Sequence, residues 1–337
     1  MTAYLFPEEI LVLSITSLTL YVALAPLVVA VLIVSCLWLP GPRKTLPRAP
    51  DLSRGSRPDA AAKAVLGVSA TLVLLYSVTD GLRSLWGFGI NSGIYEYRWW
   101  TYAEVLLSAI VVVLCVLGLL RGFKHSSAVR VAPSRPRTWR SFTRTGRLWS
   151  LLTVTVVLLG FVAFAGSVSS PDSEGIYNTL TIDAGGDNTA STIFFGWAYG
   201  LPVAGAALLL VALSLAAIHI NAVRPFFRPD TVAQEAVSRS MLSTLILWFS
   251  TGVLLDTLAR ALLQVSQAGV LSIQAQGFTW ETSVAALSPS LQWVSYAVES
   301  IGYVFLLLVL TVAVRPRRGD ATAEQITTHG KKLESHG

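Results

Sequence analysis

Seven stretches of this chain are each long and apolar enough to cross a lipid bilayer, and nothing else in the sequence narrows the fold as much. A hydrocarbon core takes about 20 consecutive apolar residues wound as helix. The stretches run Ile10–Leu39, Ala61–Gly87, Trp99–Leu120, Leu148–Ser167, Ile193–Ile220, Ser238–Leu263 and Leu291–Val314. Lipid offers backbone N–H and C=O groups no partner, so each stretch must bond internally as a helix; the runs are too long and continuous for barrel strands. Composition agrees, with 53% apolar and 13% charged residues. The fold class is an all-α integral membrane protein of about seven transmembrane helices.

Charge sets the orientation. Of 25 Lys and Arg residues, Arg83, Arg98 and Arg260 alone fall on one side. The other side carries Arg43, Lys44, Arg48, Arg54, Arg57, the cluster Arg121–Arg147, Arg224, Arg228 and Arg315–Arg318. Positive loops stay in the cytoplasm, which places the N-terminus outside and the C-terminus in the cytoplasm. The first stretch has no basic leader or cleavage site, so it reads as a retained helix rather than a signal peptide. The net charge of +6 is then a topology signal and not a nucleic-acid one. The basic cytoplasmic loops could also attract anionic lipid. Arg greatly outnumbers Lys, a bias of GC-rich bacterial genomes, and the expected location is a bacterial plasma membrane, multi-pass.

Two loops on the outer side are long enough to fold on the surface. Val168–Thr192 holds the run Tyr177–Asp183 followed by Ala184-Gly185-Gly186, which predicts a short hairpin. Gln264–Pro289 holds the alternating run Leu271–Gln276. Pro40-Gly41-Pro42 opens a polar loop to Ala60, and Gly122–Arg147 carries Pro133 and Pro136 among basic residues. The tail after Arg318 is polar and reads as disordered.

The chain also compares with itself. From Lys63 to Asp80 in the second stretch is 17 residues, as is Arg239 to Asp256 in the sixth. The third stretch opens Trp99-Trp-Thr-Tyr102-Ala-Glu104 and reaches Arg121 17 residues on; the seventh opens Trp293-Val-Ser-Tyr296-Ala-Val-Glu299 and reaches Arg315 16 residues on. Tyr21 precedes Pro26 in the first stretch and Tyr199 precedes Pro202 in the fifth. The fourth has no counterpart. This predicts residues 1–121 as one three-helix repeat, 122–192 as basic loop, linker helix and outer loop, 193–318 as a second, parallel repeat, and 319–337 as tail. The three-one-three plan with its N-terminus outside resembles that of the SWEET sugar transporters in topology alone; none of their motifs is present. Arg98-Trp99-Trp100 resembles microbial rhodopsins, but the seventh stretch has no lysine to hold retinal.

Seventeen helical residues span about 25 Å, against a hydrocarbon layer of about 30 Å. If the basic residues anchor the inner edge, Asp80, Glu104, Asp256 and Glu299 all lie near the outer edge, where an unpaired charge is costly. Arg83 follows Asp80 at i+3 and Arg260 follows Asp256 at i+4, so each aspartate is expected to have its own arginine. Glu104 and Glu299 have no arginine at such a spacing. These four acids are the candidate substrate- or proton-binding residues, with Arg83 and Arg260 as charge partners. Set against that is the plain reading that helix tilt lifts them into the headgroup layer, where they cap and pair. Pro26 and Pro202 are hinge candidates, although proline is common in membrane helices that do not move.

No metal, haem or other cofactor is expected. His219 is the one histidine inside a stretch, and there is no HExxH, P-loop or Gly-x-Ser-x-Gly elbow. The reading is a transporter or channel-like protein for a cation or small polar solute, with possible proton coupling through the outer carboxylates. The alternative is a non-catalytic subunit, assembly factor or sensor that binds partner proteins, as a homo-oligomer or in a membrane complex. A third is an enzyme acting on lipid-linked substrates with the outer acids as acid and base.

Overall fold

The computed structural model describes residues 24–37, 57–86, 98–122, 138, 142–183, 189–226, 232–275 and 278–314, with side chains from 59 to 80 only in the second of these. Seven helices run through them in chain order: α1 Leu24–Leu37, α2 Arg57–Trp86, α3 Glu104–Gly122, α4 Thr145–Val168, α5 Trp197–Val223, α6 Val232–Gly269 and α7 Ser288–Val314. Six of them, α2 to α7, are long and apolar enough to cross a membrane; α1 is described over a shorter apolar length. The protein is therefore an all-α membrane protein.

α6 is the axis of the bundle. Its membrane window is 94% buried, against 33–44% for the other five. That explains its composition: a helix with no lipid-facing side can carry Ser238, Arg239, Ser243, Thr244, Ser250, Thr251, Asp256 and Thr257, because neighbouring helices supply their partners. α2, α3, α4, α5 and α7 pack around it. The most extensive packing is between α6 and α7, where a Cβ on Gly302 would stand 3.1 Å from the Gly252 carbonyl oxygen. Small residues there let two backbones meet. The peripheral helices turn leucine and valine outward: Val68, Leu72 and Leu75 on α2, and Leu107, Val111 and Leu114 on α3, are all exposed. At i, i+4 and i+7 these make one apolar stripe per helix.

Helix bounds differ from the sequence reading chiefly at α6. It starts at Val232 rather than Ser238 and runs on to Gly269 rather than Leu263, since polar turns beyond the apolar run stay helical where they pack. Trp99–Ala103 form turns before α3, and Ile193 ends a strand before α5. Asp59 and Ala60, read as the end of a polar loop, lie in the first turns of α2, with Asp59 fully buried.

The first loop is the expected hairpin: β1 Thr179–Asp183 pairs antiparallel with β2 Thr189–Ile193, in register Leu180 to Thr192. The alternating run forms β3 Ser272–Ala275, paired antiparallel with β4 Phe278–Glu281. Both are moored to the bundle. Gln264 of α6 donates to the Ile193 carbonyl at 3.1 Å, and Thr282 donates to the Gly269 carbonyl at 3.1 Å. The basic loop at 123–137, the loop at 38–56 and the tail from 315 lie outside the described residues.

Candidate functional site

The candidate acids come from four helices, and the end of α6 decides how they meet. Asp256 is fully buried. Its Oδ2 accepts from Arg260 Nε at 3.1 Å, one turn later on the same helix, and its Oδ1 accepts from Ser77 Oγ of α2 at 3.0 Å. The same arginine reaches across to α2, where Nη1 donates to Asp80 Oδ2 at 2.5 Å. So one guanidinium joins two carboxylates on two helices, with its carbon 5.2 Å from the centre of the Tyr76 ring. Spacing alone predicts a separate arginine for each aspartate; Arg260 pairs with both, and the Arg83 side chain, expected beside Asp80, lies outside the described residues. Asp256 and Asp80 differ in exposure, the first dry and the second with about half of its side chain open (49%).

The two glutamates find tyrosines. Tyr303 Oη donates to Glu299 Oε1 at 2.5 Å along α7, and Tyr76 Oη donates to Glu104 Oε2 at 2.5 Å from α2 to α3. Glu299 lies within electrostatic reach of Asp256, Arg260 and Asp80. Among the described residues Glu104 is joined to the others through Tyr76, whose own neighbours include Asp80 and Arg260. Sequence reasoning missed Tyr76, Ser77 and Tyr303. A signal was there: Tyr303 follows Glu299, and Tyr76 precedes Asp80, by one helical turn.

Beside Glu104 is a cleft of about 320 Å³, lined by Ser69, Leu72, Val73 and Tyr76 of α2 and by Glu104, Val105, Ser108 and Val112 of α3.

A second buried polar cluster lies at the other end of α2 and α6. Asp59 accepts from the Arg224 guanidinium and from Ser238 Oγ at 2.9 Å; Lys63 donates to Ser238 Oγ at 3.4 Å. Arg239, fully buried, donates to the carbonyls of Arg224 and Pro225 at 2.6 and 2.7 Å, pairs with Glu235 at 3.3 Å and lies 4.3 Å from the Phe226 ring centre. The sequence used Lys63 and Arg239 as depth markers and did not see that the loop acid Asp59 folds in beside them. Between the clusters α2 and α6 present Leu66, Ala70, Leu242, Leu245 and Phe249, all fully buried. Pro202 lies in the second turn of α5, which continues through it, and Pro26 is buried in α1.

Among the described residues no group of three His, Cys, Asp or Glu side chains could hold a metal ion. The chain matches no family model, no curated protein and no solved structure.

Proposed function

We propose that the protein is a transporter or channel-like protein for a cation or small polar solute. It would be built from two parallel three-helix repeats about the linker helix α4, in a bacterial plasma membrane, with the acidic end outside. The observation that carries this is that Arg260 joins Asp80 of α2 to Asp256 of α6, with Glu299 of α7 within electrostatic reach and Glu104 of α3 linked through Tyr76. Two carboxylates, Asp80 and Asp256, share the one Arg260 guanidinium, and among the described residues Glu104 and Glu299 are held by tyrosines rather than by cations. Buried carboxylates beyond the charge balance are the usual mark of a cation or proton site in a membrane.

The rest of the bundle suits such a role. Ser238 and Asp256 mark the two polar clusters on α6 and are 18 residues apart, about 27 Å along a helix. Leu242, Leu245 and Phe249 are buried between them, beside Ser243, Thr244, Ser250 and Thr251, and would form the barrier of an occluded state. Pro26 and Pro202 are the proposed hinges. Protons taken up at Glu104 or Glu299 would couple the cycle.

The test is charge movement in proteoliposomes on a solid-supported membrane, driven by jumps in pH or in monovalent cation concentration. Wild type gives a transient current, and Glu104→Gln with Glu299→Gln abolishes it while membrane insertion and thermal stability persist. A double variant with the full current, or one that loses only stability, removes the main support for transport.

One observation favours the second reading, a non-catalytic subunit, assembly factor or sensor: every one of the four acids has a partner within the chain. For that reading the double variant has no current to lose, and the protein co-purifies with a defined partner from its own membrane.

A further inference from the structure

The cleft between α2 and α3 is apolar in its walls and acidic at one point. Leu72, Val73, Val105 and Val112 make the walls. Ser108 turns its hydroxyl to the Val105 carbonyl of its own helix at 2.7 Å. Tyr76 spends its proton on Glu104 Oε2. Among the described residues nothing donates to Glu104 Oε1, and no cationic side chain touches this half-buried carboxylate. An acceptor held this way in an apolar wall is complemented by a donor or a positive charge.

The cleft opens sideways. Leu72, one of its walls, is 60% exposed and belongs to the outward stripe of α2; Leu107 and Val111 of α3 flank it on the other side. A small hydrated ion gains nothing from such walls and would shed its water to sit among them. A cation with an apolar body loses little. The volume, about 320 Å³, is at the small end of the range for organic ligands, roughly 300–1,000 Å³.

We propose that this cleft binds a lipophilic organic cation, an amine or onium group on an apolar body, taken sideways from the bilayer with Glu104 as its counter-charge. The inference rests on the reading of the acidic site as a cation site, and names the class of cation.

The probe is tetraphenylphosphonium, with neutral triphenylphosphine oxide as its uncharged counterpart, and full-length protein in nanodiscs is assayed by equilibrium binding. Tetraphenylphosphonium binds saturably and the neutral compound does not. Glu104→Gln weakens binding by about tenfold or more. Ser108→Trp fills the mouth and abolishes binding with the carboxylate still present, so the result does not hang on one variant's folding. Glu174→Gln, on the exposed loop before β1, changes nothing. Equal binding of both compounds would assign the cleft to ordinary acyl chains, and binding unaffected by either cleft variant would place the cation elsewhere; either overturns the proposal. The two proposals fail separately. A transport current that depends on the glutamates without probe binding refutes the cleft alone. Probe binding at Glu104 without any current leaves a cation-binding protein that does not transport.

Discussion

Replacing Arg260 by Met should cost far more than neutralising either aspartate it holds. Asp256 is fully buried, and without the guanidinium its remaining donor is Ser77 Oγ. Removing one partner of a buried pair leaves an uncompensated charge and costs about 3–5 kcal/mol. Asp256→Asn instead removes the charge and leaves Arg260 paired with Asp80, so the loss is that of a charged hydrogen bond, about 1–3 kcal/mol. Asp80 is half open to its surroundings, and such pairs contribute about 0–1 kcal/mol. The order of cost is therefore Arg260→Met, then Asp256→Asn, then Asp80→Asn. A double-mutant cycle of Arg260 with Asp256 should show a coupling of about 2 kcal/mol or more, and with Asp80 under about 1 kcal/mol. The assay is reversible unfolding in mixed micelles as the fraction of denaturing detergent rises, followed by tryptophan fluorescence. Asp80→Asn as costly as Asp256→Asn, or equal couplings, would refute the claim that burial sets the strength of the two bonds.

At the opposite end of the bundle, Asp59→Asn leaves the buried Arg224 without its carboxylate and should cost about 3–5 kcal/mol in the same unfolding assay. Gly302→Val drives a branched side chain onto the Gly252 carbonyl, which cannot rotate away; α6 and α7 should part at a cost of about 1–3 kcal/mol, seen as faster hydrogen exchange along α7. In the loop before β1, the backbone N–H groups of Ile176 and Glu174 hold the Asp172 carboxyl below the usual carboxylate range. A depressed carboxylate contributes stability above the ordinary value, about 3.9, and loses it as pH falls toward the depressed one. Amide exchange at Glu174 and Ile176 should thus rise, relative to Asp172→Ala, only below that value. Gly175 turns this loop with a φ of 81°, so Gly175→Ala should expose the same amides at every pH.

The sequence by itself determined the class of protein and most of its spans. A bilayer leaves a long apolar run no choice but helix, so Leu148–Ser167 reads as α4 with no knowledge of its neighbours. The hairpin β1–β2 was legible for a similar reason, since its glycines and alternation act locally. Asp256 and Arg260 are one turn apart, and their contact follows from helix geometry. What the tertiary structure decided is everything that depends on which helix stands beside which. Nothing in the spacing of Asp80 tells that it shares Arg260 across 180 residues of chain, or that Tyr76 of α2 holds Glu104 of α3. The central place of α6 was equally hidden, because lipid and a protein interior are both apolar, and a hydrophobic pattern cannot say which of the two a leucine faces. Only the packing separates them, and it is the packing that gives a buried aspartate its arginine and an apolar cleft its one charge.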